Sequence, residues 1–225
     1  GNEWGNRKVH SRCCSDNAAR ASVLRGQIRQ DFIEAASKDV RILYPERVDA
    51  IRWFEKNAPT EFDLFGIDWD LPVCNGTFFG KIEKKSWSTA RRIIKLQPFP
   101  SYRGKLEQKS DALSRTRFSI CYENVRDLPG YITEKIFDCF FAGCVPVYWG
   151  ASNIETYIPE SCFVDRRNFR DTAEVYKFLK AITKQDFSNY QRNIRDFLNS
   201  EAAQVFSSEH FANTLINTIE RDLTS

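Results

Sequence analysis

The sequence predicts an α/β fold, a parallel sheet with helices on both faces. Two observations carry this. Short apolar runs of strand length recur in the second half, and segments of helical period separate and follow them. Strands alternating with helices are the pattern of a parallel sheet covered on both sides. A chain of 225 residues, 42% hydrophobic and 28% charged, is long enough for one sizeable core and ordinary in composition.

The elements follow in order. Residues 1–22 are polar and basic without a period and predict loop. Residues 23–37 place Val23, Ile28, Phe32, Ile33 and Ala36 at broadly helical spacing, which Gly26 weakens. LYPERVDAIRWFEKN (43–57) predicts a stronger helix, with Pro45 and Glu46 in its first turn and Val48, Ile51 and Phe54 on one stripe. FDLFG (62–66) predicts a short buried strand stopped by glycine. Residues 70–104 are irregular, and 105–116 predict a short polar helix. FSICYEN (118–124) predicts a strand, then a turn-rich loop, then a helix over 132–142 closed by Gly143. CVPVYWG (144–150) predicts a second buried strand, 152–157 a short helix, and CFVDRRNF (162–169) a third strand with a loop. Helices over about 171–183, 186–199 and 207–222 finish the chain.

Net charge is +3, which by itself does not point to nucleic acid, and no nucleic-acid motif is present. Residues 81–117 carry eleven Lys/Arg and three Asp/Glu. That excess fits a solvated face first, and a phosphate-bearing ligand or an anionic membrane second. Of seven cysteines, Cys121, Cys139 and Cys144 lie in apolar segments and read as small buried hydrophobes, so a reducing, cytoplasmic setting is expected rather than a disulfide framework. Asn75-Gly76-Thr77 matches a glycosylation acceptor and reads as a turn. No apolar run approaches the roughly 20 residues that span a bilayer. The leading Gly1 and the lack of methionine lead us to expect a partial chain.

One segment carries chemistry. In open α/β sheets the ligand sits beyond the carboxyl ends of the strands. The strand 118–124 ends there in Tyr122-Glu123-Asn124, and the next helix begins Ile132-Thr133-Glu134-Lys135. Helix amino termini suit phosphate, and Lys135 adds a full charge. A lysine in a first turn opposes the helix dipole, which is the kind of local misfit expected at functional sites. The competing reading is a solvated surface lysine. His10 and His210 read as ordinary surface or structural residues. Asp68-Trp69-Asp70 is an Asp-x-Asp triplet of the kind that holds manganese elsewhere, and such triplets often arise by chance.

Residues 118–169 resemble glycosyltransferase family ten, the α1,3/α1,4-fucosyltransferases. The resemblance rests on Tyr122-Glu123-Asn124, Gly130-Tyr131-Ile132-Thr133-Glu134-Lys135 and Pro146-Val147-Tyr148-Trp149-Gly150. LYPERVDAIRWFE, FDLFGIDW and YRGKLEQK look like the bacterial branch. The resemblance implies a Rossmann-like domain over 41–225, the C-terminal half of a GT-B-type enzyme, after a basic segment over 1–40. It implies an inverting fucosyltransferase using GDP-fucose. Lys135 and Arg47 would neutralise the diphosphate, Glu134 would bind the ribose, and Asn124 and Tyr131 would shape the pocket. Arg47 rests on the shortest match, and its bland reading is a helix-surface arginine. Glu123 reads as a support of the loop. The catalytic base is expected outside this chain. No cofactor or metal is expected.

The acceptor implied is an oligosaccharide or glycolipid such as a bacterial lipopolysaccharide chain, with peripheral contact to the inner membrane as a further expectation. The rivals are a non-catalytic GDP-binding or interaction module, and a glycosyltransferase using another GDP-sugar.

Overall fold

The computed structural model describes residues 9–12, 41–67, 69 and 98–224. Within them, β1 (Val9–Arg12), β2 (Arg41–Ile42), α1 (Tyr44–Asn57), β3 (Phe62–Phe65), α2 (Lys109–Leu113), β4 (Phe118–Tyr122), β5 (Val125–Arg126) and α3 (Glu134–Phe141) follow one another. Then come β6 (Val145–Trp149), β7 (Val164–Asp165), α4 (Thr172–Ala181), α5 (Lys184–Leu198) and α6 (Ser208–Thr224), with short 3-10 helices in some of the connections. The helix expected over 23–37 and the turn Asn75-Gly76-Thr77 lie outside the described residues.

Five strands form a parallel sheet in the order β3-β1-β4-β6-β7. β4 is buried at all five positions, and β6 at its first four. Both faces of the sheet are therefore covered, and this is why these strands read as unbroken apolar runs. α1 packs on β3 and α4, while α3 packs on β4, β6, α2 and α5. In α1 the buried positions are Arg47, Ala50, Ile51 and Phe54, one stripe of a 3.6-residue period. Gly143 takes φ of 70° just past α3, a left-handed conformation that glycine adopts without strain, and turns the chain into β6.

One expectation is corrected. The segment 1–22 was expected to be loop, yet Val9–Arg12 forms β1, paired on one side with β3 and on the other with β4. The sheet thus draws a strand from before residue 40. The strand with a loop expected over 162–169 is present: Val164 and Asp165 pair with β6, and Arg166–Asn168 then turns as a 3-10 helix, with the Asp165 carboxylate accepting the Arg167 N–H.

Strand order reverses between β1 and β4: the chain leaves β1 toward β3 on one side, then returns to build β4, β6 and β7 on the other. The crevice outside the carboxyl ends of strands at such a reversal is where α/β sheets bind ligands. β4 delivers Tyr122 and Glu123 to that edge.

Candidate functional site

Beyond Tyr122 the chain still follows β6, because the Glu123 N–H donates to the Trp149 carbonyl at 2.8 Å. It then crosses to the start of α1. The Leu43 N–H donates to the Asn124 carbonyl, and β5 pairs antiparallel with β2. This crossing brings Arg47 to the strand end. Its Nη2 donates to the carbonyls of Tyr122 (2.8 Å) and Glu123 (3.0 Å), and the residue is buried. The helix-surface reading of Arg47 is thereby set aside.

The loop 124–133 folds back on Glu123. Asp127 and Gly130 both take positive φ, and the Gly130 N–H is held by Asn153 Oδ1 at 2.8 Å. Thr133, at the amino end of α3, donates its N–H to Glu123 Oε1 (2.9 Å) and its hydroxyl to Oε2 (2.7 Å). Lys135 Nζ donates to the same Oε2 at 2.9 Å and lies 3.4 Å from Asn124 Oδ1. Glu123 has no exposed surface and Lys135 only 3%. One buried carboxylate therefore ties the strand end to the helix start.

Gly150 faces this carboxylate closely. A Cβ there would meet the Tyr148 hydroxyl and Glu123 Cγ, so only glycine lets β6 end so near Glu123. Burial, helped by the negative charge of Glu123, raises the Tyr148 hydroxyl well above its ordinary range. Burial likewise pushes Tyr122 up to about 12, against the pull of the Arg166 guanidinium.

Of the five residues predicted for the site, the structure links Arg47, Asn124 and Lys135 around Glu123. Tyr131 lies half-exposed in the loop, and Glu134 is exposed on the first turn of α3. Lys135 is not the solvated cation that its sequence position would allow. Its misfit with the helix dipole is explained by Glu123, which neutralises it locally. Sequence reasoning passed over Arg126 and Arg166. They stand just past β4 and at the end of β7, so the carboxyl-edge rule would have found them. Asp68 and Asp70 lie outside the described residues, and among the described residues no group of three His, Cys, Asp or Glu is placed to hold a metal. Cys121, Cys139, Cys144 and Cys162 are buried cysteines outside any disulfide, and no described helix is long and apolar enough to cross a membrane.

A covered parallel sheet, with charged side chains gathered where its strand order reverses, defines a ligand-binding α/β domain. Residues 84–215, more than half of the chain, match the family described as "Glycosyltransferase family 10 (fucosyltransferase) C-term". The chain belongs to that family. It is similar to an alpha-(1,3)-fucosyltransferase, FucT, of Helicobacter pylori, with 32% identity over 75 residues, which is 33% of this chain and 16% of that protein. It is also similar to the mouse 4-galactosyl-N-acetylglucosaminide 3-alpha-L-fucosyltransferase 9, with 38% identity over 76 residues, 33% of this chain and 21% of that protein. The matches thus span less than a quarter of these curated relatives. A solved alpha1,3-fucosyltransferase with GDP-fucose superposes at a TM-score of 0.37 and 18% identity, over 66% of this chain and 44% of that one. That superposition is too loose to fix residue correspondences.

Proposed function

We propose that this domain binds GDP-fucose and serves as the donor half of an inverting fucosyltransferase acting on a glycan hydroxyl. The observation that carries the reading is the Glu123 junction. In a chain of this family, it gathers Asn124, the 124–133 loop and the first turn of α3 at the carboxyl edge of the sheet. Cleavage of the sugar–phosphate bond leaves negative charge on the diphosphate. The amino end of α3, with Lys135 and Arg47 beside it, would stabilise that charge as it develops, without calling on a divalent metal. In this reading exposed Glu134 would accept from ribose hydroxyls, and Tyr131 and Asn124 would line the pocket. The acceptor is proposed to be an oligosaccharide or glycolipid, and its activating base to lie in another part of the enzyme.

Calorimetric titration with GDP tests this. Saturable binding is expected, weakened about tenfold in Glu134→Gln by loss of a charge-assisted hydrogen bond. Glu134 is exposed, so the variant should keep its fold. A folded chain with no affinity for GDP would sink the proposal.

A further inference from the structure

Arg126 and Arg166 reach the site from different parts of the chain and meet on one ring. Their guanidinium carbons lie 4.9 and 5.0 Å from the centroid of Trp149, the last residue of β6. The Nε atom of each is buried without a hydrogen-bond partner. A buried donor left unmade is costly, and the cost falls when a ligand supplies the acceptor. Arg166 donates one N–H to the Phe169 carbonyl at 2.6 Å and comes within reach of the Tyr122 hydroxyl. Arg126 Nε lies 3.5 Å from Asp127 Oδ2, an ion pair longer than a good hydrogen bond.

Two guanidinium groups share the Trp149 ring, and the charge of Arg47, like that of Arg166, acts on the Tyr122 hydroxyl. Among the described residues, Asp127 pairs with Arg126, and Glu46, with one buried oxygen lacking a partner, opposes the two arginines at the Tyr122 hydroxyl. Glu123 and Lys135 neutralise each other. Stacking on tryptophan offsets part of the repulsion between like charges, and an anion would relieve the remainder. Tyr122, Trp149 and Asp165 end β4, β6 and β7, so the arginines stand at the edge where a nucleotide's phosphates are expected.

We propose that Arg126 and Arg166 are a second pair of phosphate-contacting residues, gripping the diphosphate of the nucleotide sugar from the Trp149 side. This rests on the donor-site reading above. Lys135 and Arg47 already donate to Glu123 and to the strand-end carbonyls, so they hold the edge together, and Arg47 adds positive field. Arg126 and Arg166 bring donors that the protein leaves unused, in the planar geometry that matches phosphate oxygens.

The test is titration of the chain and its Arg126→Ala and Arg166→Ala variants with GDP, GMP and guanosine. Each variant is expected to lose about tenfold in GDP affinity, less for GMP, and under about twofold for guanosine. Arg126→Lys and Arg166→Lys are expected to recover part of the loss. Unchanged GDP affinity overturns the inference and leaves the donor site standing. So does an equal loss for guanosine, which would mean that the arginines only hold Trp149. If the unsubstituted folded chain binds no GDP, the donor-site reading falls and this inference with it. Should Arg166→Ala unfold, as far-ultraviolet circular dichroism would show, Arg126→Ala and Arg166→Lys decide.

Discussion

β4 and β6 run side by side, yet their two ends are built differently. At the amino end, Phe118 meets Phe187 of α5 edge to face at 5.6 Å, Arg117 lies across both rings, and Gln191 donates to the Gly143 carbonyl. At the carboxyl end, Glu123 and Lys135 are paired out of water and Arg47 is spent on two carbonyls. Apolar packing stabilises at little risk. A buried ion pair contributes little net stability and becomes a liability if either partner is lost. The buried Glu123–Lys135 pair stands at the carboxyl end, beside the reversal of strand order where α/β sheets bind ligands.

The largest effect should come from splitting the pair. Glu123→Leu leaves Lys135 buried without its counter-charge and strips Thr133 of both its acceptors. A loss of about 3–5 kcal/mol is expected in urea unfolding. The double variant Glu123→Leu/Lys135→Met should recover most of it, because two apolar groups replace two desolvated charges. A double variant as unstable as the single one would show that this end is held by something other than the pair. At the amino end, Phe187→Leu removes the ring contact with Phe118 but keeps an apolar side chain. About 1.5 kcal/mol should be lost, with GDP affinity unchanged. A fall in GDP affinity would break the division of labour between the two ends.

How much of this could be read in the sequence follows from how local each cause is. β4, β6, α1 and α3 were legible because their periods, the first-turn Pro45 and the closing Gly143 act within a few residues of themselves. β1 was not. Val9-His10-Ser11-Arg12 has no strand pattern, and its conformation is set by pairing with Phe62–Phe65 and Phe118–Ile120, far along the chain. The segment 122–135 was legible as a motif and as a misfit, a lysine where a helix prefers an acid. Its resolution required Glu123, twelve residues earlier and just past the end of β4. Arg126 and Arg166 carried only the signal of standing past strand ends, and the topology is what brings both to Trp149.

The smallest expected effect concerns how α5 is held at the amino end. Thr183 and Asp186 form a capping box: the Asp186 N–H donates to the Thr183 hydroxyl oxygen, and the Asp186 carboxylate accepts from the Thr183 hydroxyl and N–H. These bonds, the hydroxyl first and the backbone second, hold the Asp186 carboxyl below its ordinary 3.8. A carboxyl depressed in the folded state stabilises the protein above its unfolded value, and that contribution is lost as pH falls through the folded one. Thermal unfolding of the unsubstituted chain should therefore steepen its decline below about pH 4. Asp186→Asn should start from a slightly lower melting temperature at neutral pH and lose less on acidification, so that the two curves converge. Part of the acid slope should remain in the variant, since Asp171 at the start of α4 is depressed in the same way by the Glu174 N–H. Parallel curves would mean that the box does not hold α5, and that Phe187 on Phe118 fixes the amino end alone.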